Sequence, residues 1–337
     1  MIIVLARDAT EADIGAVVQE AARTGAAPAV ARSGDATVVR VATDGRGGVS
    51  GRLRALPKVR GVVEGDLPYV LASRDFKAED TQVAVGDVVF GARRVVLMAG
   101  PCAVESRDQL RLVARQVKEA GARVLRGGAF KPRTSPYAFQ GLGEDGLKLL
   151  AETAADFGLK VVTEVMAPEQ VELVGRYADM LQIGSRSVQN FPLLRAVGRT
   201  RKPVLLKRGM ATEIDEFLGA AEYVLAEGND QVVLCERGIR TFEPRTRFTF
   251  DVSAIPLLKR LTHLPVVADP SHATGAAFLV PAASKAAIAA GADGLLIESH
   301  PDPREALSDG RQAMTPDELA LLAPALRRLA EAVDRTL

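Results

Sequence analysis

The sequence predicts an α/β protein: a (β/α)8 TIM barrel preceded by a small ferredoxin-like α+β domain. Three observations carry this. From Arg93 onward, eight short apolar runs alternate with amphipathic helical segments, which is the length and rhythm of a barrel of eight βα units. Residues 1–66 instead read in the order βαββαβ, the split βαβ pattern. No Gly-rich dinucleotide fingerprint follows an early strand, which argues against the competing doubly wound sheet.

In the first unit, residues 2–6 (IIVLA) form a short apolar strand. Residues 10–23 place Ile14, Val17, Val18 and Ala21 at helical spacing, with Thr10 as N-cap and Asp13 in the first turn. Two β-like runs follow, Ala27–Ala31 and Ala36–Val41, divided by the turn Ser33-Gly34-Asp35. A short helix over Val49–Leu56 and a strand at Val59–Val63 complete the unit. It contains neither His nor Cys, so it reads as a regulatory or oligomerisation module. Residues 67–92 read as a charged linker and a barrel-capping hairpin that pairs Thr81–Val85 with Val88–Phe90 across Gly86-Asp87.

Residues 93–337 form the barrel. Its strands are expected at Arg94–Met98, Ala122–Arg126, Lys160–Glu164, Met180–Ile183, Pro203–Lys207, Gln231–Cys235, Pro265–Ala268 and Gly294–Glu298. Helices are expected at Ser106–Ala120, Gly146–Phe157, Thr212–Ala226, Gly275–Ala290 and Pro316–Thr336 among others.

Composition removes several function classes. Lys+Arg 43 against Asp+Glu 42 leaves a net charge of +1, so no overall basic excess calls for nucleic acid. Aromatic residues are 4% and Trp is absent, which leaves few platforms for stacking single-stranded bases. No apolar run approaches the roughly 18 residues that a membrane helix needs. The start, MIIVLARDATEAD, has neither a basic leader nor a small-residue cleavage site, so no signal peptide is expected. Two cysteines cannot build a disulfide framework, and a reduced cytoplasmic compartment fits.

A barrel works at the C-terminal ends of its strands. Two clusters appear there. One is cationic: Arg126, Lys131, Arg133, Arg186, Lys207 and Arg237. Crowding like charges in one mouth is costly unless anions neutralise them, and Arg forks match phosphate and carboxylate oxygens. More than one anionic group is therefore expected. The other cluster is Cys102, His272, Glu298 and Asp309, a thiol, an imidazole and two carboxylates from strands one, seven and eight. Such a mixed set suits Mn²⁺, Fe²⁺, Co²⁺ or Zn²⁺. His300 is a rival ligand because it also follows strand eight. Cys235 reads as wall packing, and His263 lies at the wrong end of the barrel.

The loops AGPCAVES, GGAFKPRTSPYAFQG, IGSRSVQN, LLKRG, CERG, DPSHATG and LLIESHPDP…SDG resemble those of the 3-deoxy-D-arabino-heptulosonate 7-phosphate (DAHP) synthases, in the short microbial type fused to an N-terminal ferredoxin-like domain. The resemblance covers essentially the whole chain. It implies a transferase that condenses phosphoenolpyruvate with erythrose 4-phosphate, the first step of the shikimate pathway to aromatic amino acids. It implies a divalent metal ion and no organic cofactor.

By the same resemblance Cys102, His272, Glu298 and Asp309 are metal ligands. Arg126, Lys131, Ser185, Arg186, Lys207 and Arg237 contact phosphoenolpyruvate. Arg133 and Thr134 hold the phosphate of erythrose 4-phosphate, in a loop shaped by Pro132. Glu164 is a carboxylate near the reacting carbon. Lys131, or a metal-bound water with Glu164, is available to move the protons. Ser185 departs from relatives that often carry Ala, where a main-chain N–H does the work. Feedback inhibition by tyrosine or phenylalanine and a homo-tetramer also follow from the resemblance.

Two alternatives remain at this level. One is the sister enzyme that makes 3-deoxy-octulosonate 8-phosphate, whose loop carries Asn-Arg-Ser where this chain has Pro132-Arg133-Thr134-Ser135. The other is a non-catalytic regulatory barrel, which loss of a ligand or of Lys131 would favour; none is lost.

Overall fold

The computed structural model describes residues 1–25, 27–33, 36–41, 49–63, 68–133 and 135–337. The turn at Gly34-Asp35, the junction expected near residue 66 and the candidate Thr134 lie outside the described residues.

The first unit runs β1 (Ile2–Leu5), α1 (Glu11–Ala22), β2 (Pro28–Ser33), β3 (Ala36–Val41), α2 (Val49–Arg54) and β4 (Val59–Val63). Its strands pair antiparallel in the order β2-β3-β1-β4. Thr10 starts α1 through a capping box: its side chain accepts from Asp13 N, and the Asp13 carboxylate accepts from Thr10 N. Successive strand residues face opposite ways, and the sheet uses both faces. Ile3, Leu5, Val39 and Val62 pack with Ile14, Val17 and Leu53 of the two helices. Ile2, Val4 and Val63 belong instead to the large apolar cluster that includes Val70, Leu71 and Leu225 of the barrel side.

A hairpin of β5 (Val83–Val85) and β6 (Val88–Phe90) turns at Gly86, whose φ of 62° favours glycine. Its side chains Val83, Val85, Val88 and Phe90 form one buried cluster with Val96, Val124, Val162, Met180, Val233 and Val267. The hairpin thereby plugs the N-terminal floor of the barrel.

The barrel follows as β7 (Val96–Gly100), α3 (Arg107–Glu119), β8 (Val124–Arg126), α4 (Gly143–Asp156), β9 (Lys160–Val165), α5 (Val171–Tyr177), β10 (Met180–Ile183), α6 (Phe191–Arg199), β11 (Val204–Lys207), α7 (Ile214–Ala226), β12 (Val232–Glu236), α8 (Ala254–Leu261), β13 (Val266–Ala268), α9 (Pro270–Thr274), α10 (Val280–Ala289), β14 (Gly294–Glu298) and α11 (Pro316–Ala332). Eight parallel strands close when β14 pairs with β7. Strands covered on both faces are mostly apolar, which is why each one reads as a short apolar run, with its polar residues concentrated toward the C-terminal end.

Several elements differ in their bounds from the sequence expectation: the first barrel strand, expected at Arg94–Met98, is Val96–Gly100, and the last helix, expected over Pro316–Thr336, ends at Ala332. The helix expected over Gly275–Ala290 starts late, after a 3-10 turn at Ala277–Leu279, and a separate short helix, α9, precedes Gly275. Gly275 sits at φ 70° as the left-handed cap that ends α9, and α10 begins only at Val280. The extra short helix α9 carries His272.

Between the two units, the backbone at Leu71 and Ala72 is strapped to the barrel. Their N–H groups donate to the two carboxylate oxygens of Glu222, each at 2.9 Å. His263 Nε2 lies 2.7 Å from Leu71 O, and its Nδ1 lies 2.7 Å from Thr81 Oγ1. A cavity of about 720 Å³ lies between the sheet face (Ile2, Val38, Arg40) and Phe191, Arg195 and Tyr223 of α6 and α7.

Candidate active site

The strand ends enclose a cavity of about 300 Å³. All six predicted cations line it: Arg126, Lys131, Arg133, Arg186, Lys207 and Arg237. Pro132, Glu164, Ser185, His272 and Asp309 line it too. Three of the cations are placed by their strands and the other three by the loops that follow. Arg126 and Lys207 are the last residues of β8 and β11, and Arg237 directly follows β12. Two glycines make the packing possible. A Cβ on Gly128 would lie 2.7 Å from Lys131 Cδ, and one on Gly184 would lie 1.9 Å from Glu164 Oε1. The Lys131 stem and the Glu164 carboxylate pass over bare backbone.

The cations differ in how they are compensated. Arg126 donates to Glu298 Oε1 at 2.8 Å and to Pro101 O at 2.7 Å, but its Nε has no partner. Lys207 is paired with Asp269. Arg237 is buried over the ring of Phe248, at 4.4 Å from its centroid, with Nε and Nη1 unsatisfied. Burial pulls its guanidinium below the usual arginine range. Buried donors without partners are costly, and here they face a cavity that an anion would fill. Arg186 and Ser135 are exposed at the rim. Arg208, next to Lys207, stays out of the cavity and is neutralised by Glu236 and Asp251, each at 2.9 Å.

Cys102, His272, Glu298 and Asp309 each offer one ligand atom, and these atoms lie within 4.8 Å of one another. His272 Nε2 is 3.2 Å from Glu298 Oε1 and 3.8 Å from Asp309 Oδ2, and Cys102 Sγ is 3.5 Å from Asp309 Oδ2. Burial brings His272 down to about 4, outweighing Asp269 and Glu298, so its imidazole is neutral at pH 7 with a lone pair to give. Burial opposes ionisation of Asp309, yet Arg247, His272 and Lys131 bring it down to about 2. Burial and then Glu298 push the Cys102 thiol up to about 11. A soft and hard donor set this close, with its carboxylates ionised, fits a borderline divalent cation. His272 Nδ1 sits 2.7 Å from Asp269 Oδ2 without the alignment of a hydrogen bond. Asp269 Oδ1 accepts from His272 N at 2.9 Å and so caps α9.

Lys131 stands between the clusters. Its Nζ is 3.0 Å from Cys102 Sγ and 2.9 Å from Cys102 O. The rival ligand His300 is drawn off to Glu105 at 3.2 Å, and Cys235 packs in the inner wall. Sequence reading missed Arg247, Gln182 and Gln312. Arg247 and Gln182 line the cavity, and Gln312 is buried against Glu298. Arg247 lies well beyond β12 in a loop without periodicity, and a neutral amide carries no charge pattern to flag it.

Fold and site together define a barrel enzyme suited to small, multiply anionic substrates. The family model described as DAHP synthetase I family matches residues 75–335. Along 99% of the chain, and 98% of the relative, the sequence is 46% identical to a phospho-2-dehydro-3-deoxyheptonate aldolase of Thermotoga maritima. A crystal structure of the DAHP synthase of that organism superposes with a TM-score of 0.80 at 45% identity, covering 99% of this chain and 98% of that one. A truncated form of the T. maritima enzyme covers 80% of this chain and 99% of its own, with a TM-score of 0.75 and 45% identity. A 2-dehydro-3-deoxyphosphooctonate aldolase of Syntrophotalea carbinolica is 34% identical over 70% of this chain and 91% of its own. This chain belongs to the DAHP synthetase I family and is a transferase-type enzyme of that family.

Proposed function

We propose that the protein condenses phosphoenolpyruvate, erythrose 4-phosphate and water to DAHP and phosphate. The observation that carries this is one cavity lined by the cation set and by His272 and Asp309 of the four-ligand cluster, in a chain so similar to a DAHP synthase over nearly its full length. Arg126, Lys131, Ser185, Arg186, Lys207 and Arg237 would clamp the phosphate and carboxylate of phosphoenolpyruvate. Arg133, with Pro132 setting its loop, would hold the distal phosphate of the aldose, and Thr134 belongs to the same reading. Holding both substrates in attack geometry replaces a bimolecular encounter.

In the reaction the third carbon of phosphoenolpyruvate bonds to the aldehyde carbon. Water adds to the second carbon, whose bond to the phosphate oxygen then breaks and releases phosphate. In this reading Lys131 Nζ would give the proton that the former aldehyde oxygen takes up, and Glu164 would take one from the water. Cys102, His272, Glu298 and Asp309 would hold a divalent ion such as Mn²⁺, Fe²⁺, Co²⁺ or Zn²⁺, which supplies Lewis-acid polarisation of the aldehyde. The test is phosphate release from phosphoenolpyruvate with erythrose 4-phosphate or arabinose 5-phosphate. The expected result is release with the first, stopped by EDTA and restored by Mn²⁺. Release with arabinose 5-phosphate alone would move the assignment to the octulosonate enzyme, and release with neither sugar would overturn it.

Among the described residues, the N-terminal unit lends no side chain to the cavity lining. We assign it a regulatory role: tyrosine or phenylalanine inhibits through it, in a cytoplasmic homo-tetramer. The cavity between its sheet and α6 and α7 gives room for the two units to shift against each other. A chain beginning at Pro68 keeps the Leu71–Ala72 strap and the floor hairpin, and the truncated T. maritima relative matches 80% of this chain. It should retain turnover and lose inhibition. Inhibition that survives the truncation would place the effector on the barrel.

A further inference from the structure

The four candidate ligands do not hold their own orientation. Glu298 presents Oε1 to His272 and Arg126, which leaves Oε2 to be fixed by something else. That partner is Gln312, 2% exposed, whose Nε2 donates to Glu298 Oε2 at 2.5 Å. The other end of the amide, Oε1, accepts from Arg247 Nη1 at 2.6 Å. The same Arg247 Nη1 lies 3.3 Å from Asp309 Oδ2. The backbone at Gln312 also reaches back, its N–H donating to Asp309 O at 3.2 Å. Asp309 is a non-glycine residue at φ 53°, a conformation that persists only when its surroundings impose it.

The orientation of the amide is fixed by its neighbours. An ionised Glu298 can only accept and Arg247 can only donate, so the oxygen and nitrogen of Gln312 cannot exchange places. Glutamate at this position would set a second carboxylate against Glu298, and an apolar residue would leave Arg247 and Glu298 each short of one partner.

We propose that Gln312 is a positioning residue of the metal site. It fixes the Glu298 carboxylate directly and the Asp309 carboxylate through Arg247, so that both oxygen ligands are set before the cation arrives. The proposal rests on the metal reading given above.

The test uses the full-length apoprotein and Mn²⁺ alone, with no substrate, titrated against a chelator. Gln312→Met keeps length and volume and removes both polar ends. Gln312→Glu keeps the acceptor for Arg247 and removes the donor to Glu298. Each should bind Mn²⁺ about 10–100-fold more weakly than wild type, the range for groups that orient metal ligands. The Mn²⁺ concentration for half-maximal activity should rise by the same factor. A residue that only fills space would lower the thermal midpoint of the apoprotein and leave Mn²⁺ affinity unchanged. Wild-type affinity in both variants would therefore overturn the proposal while leaving the metal site standing. If wild type itself bound no Mn²⁺, the metal reading and this proposal would fall together. Should the Met variant fail to fold, the near-isosteric Glu variant carries the same comparison.

Discussion

The two ends of the barrel are made by the same eight strands and are chemically opposite. The floor is apolar: Val96, Val124, Val162, Met180, Val233 and Val267 close against Val83, Val85, Val88 and Phe90 of the hairpin. The mouth, a few residues further along each strand, buries Arg126, Lys131, Lys207 and Arg237 and leaves nitrogens of Arg126 and Arg237 unsatisfied. Burial of apolar area stabilises the fold, whereas a buried cation without a full set of partners works against it. The floor is thus the source of stability and the mouth is its consumer, and substitutions at the two ends should separate cleanly.

The largest effect is expected among the ligands. Cys102→Ala or His272→Ala should lower turnover by more than about 100-fold, because changes one shell further out already cost roughly 10–100-fold. The folded state should persist by circular dichroism. Full activity of Cys102→Ala in metal-free buffer would sink the metal reading. At the floor, Phe90→Ala should cost about 3–5 kcal/mol of stability, the range for emptying a buried aromatic site, while kcat per folded molecule stays near wild type. A large kcat loss there would erase the division between the ends.

Arg237→Ala should show the reverse. It should cost about 2–4 kcal/mol in kcat/KM, seen as a raised KM for phosphoenolpyruvate, with urea stability unchanged or increased because an undercompensated buried charge is gone. Arg133→Ala should act mainly on the KM for erythrose 4-phosphate. If it weakened only phosphoenolpyruvate, the two anion subsites would have to be exchanged.

The smallest effect concerns His263 at the floor side. Burial holds its pKa below the ordinary 6.5 against the opposing hydrogen bond to Leu71 O, with Lys77 and Arg74 adding to the shift and Asp230 opposing it weakly. The unfolded chain therefore takes up the proton that the folded chain refuses. Stability should fall as pH drops below about 6.5, with a slope of at most about 1.4 kcal/mol per pH unit from this group, and should not depend on it above neutrality. Urea unfolding at several pH values should show a shallower acid slope for His263→Asn, and equal slopes would remove His263 as the cause.

How much of this was legible follows from how each feature is encoded. Buried parallel strands are mostly apolar, so the bounds of β10 and β14 could be read to the residue, and a cation closing such a run, as at Lys207, marks a strand end. The two pieces near His272 were harder. Asp269 and Pro270 carry the N-cap and first-turn signals of a helix, but five residues are too few to show periodicity, and Gly275, which reads as a helix start in the sequence, is a stop in the structure. Arg247 and Gln312 could not be found from pattern at all. Their roles come from tertiary closure, which brings the long loop after β12 beside the turn after β14.

The strap at Leu71–Ala72 has a mechanical consequence. It works as a cable clamp: Glu222 grips two consecutive peptide N–H groups, His263 lies against the Leu71 carbonyl, and Arg74 N donates to Leu261 O at 2.8 Å. Tension applied to the chain before this point ends on α7 and α8 and does not reach the strands. A displacement of the small domain therefore cannot be felt at the mouth as a pull along the backbone. Any message it sends must travel by pressure, through the surface it shares with the barrel side or through whatever its sheet is set down upon.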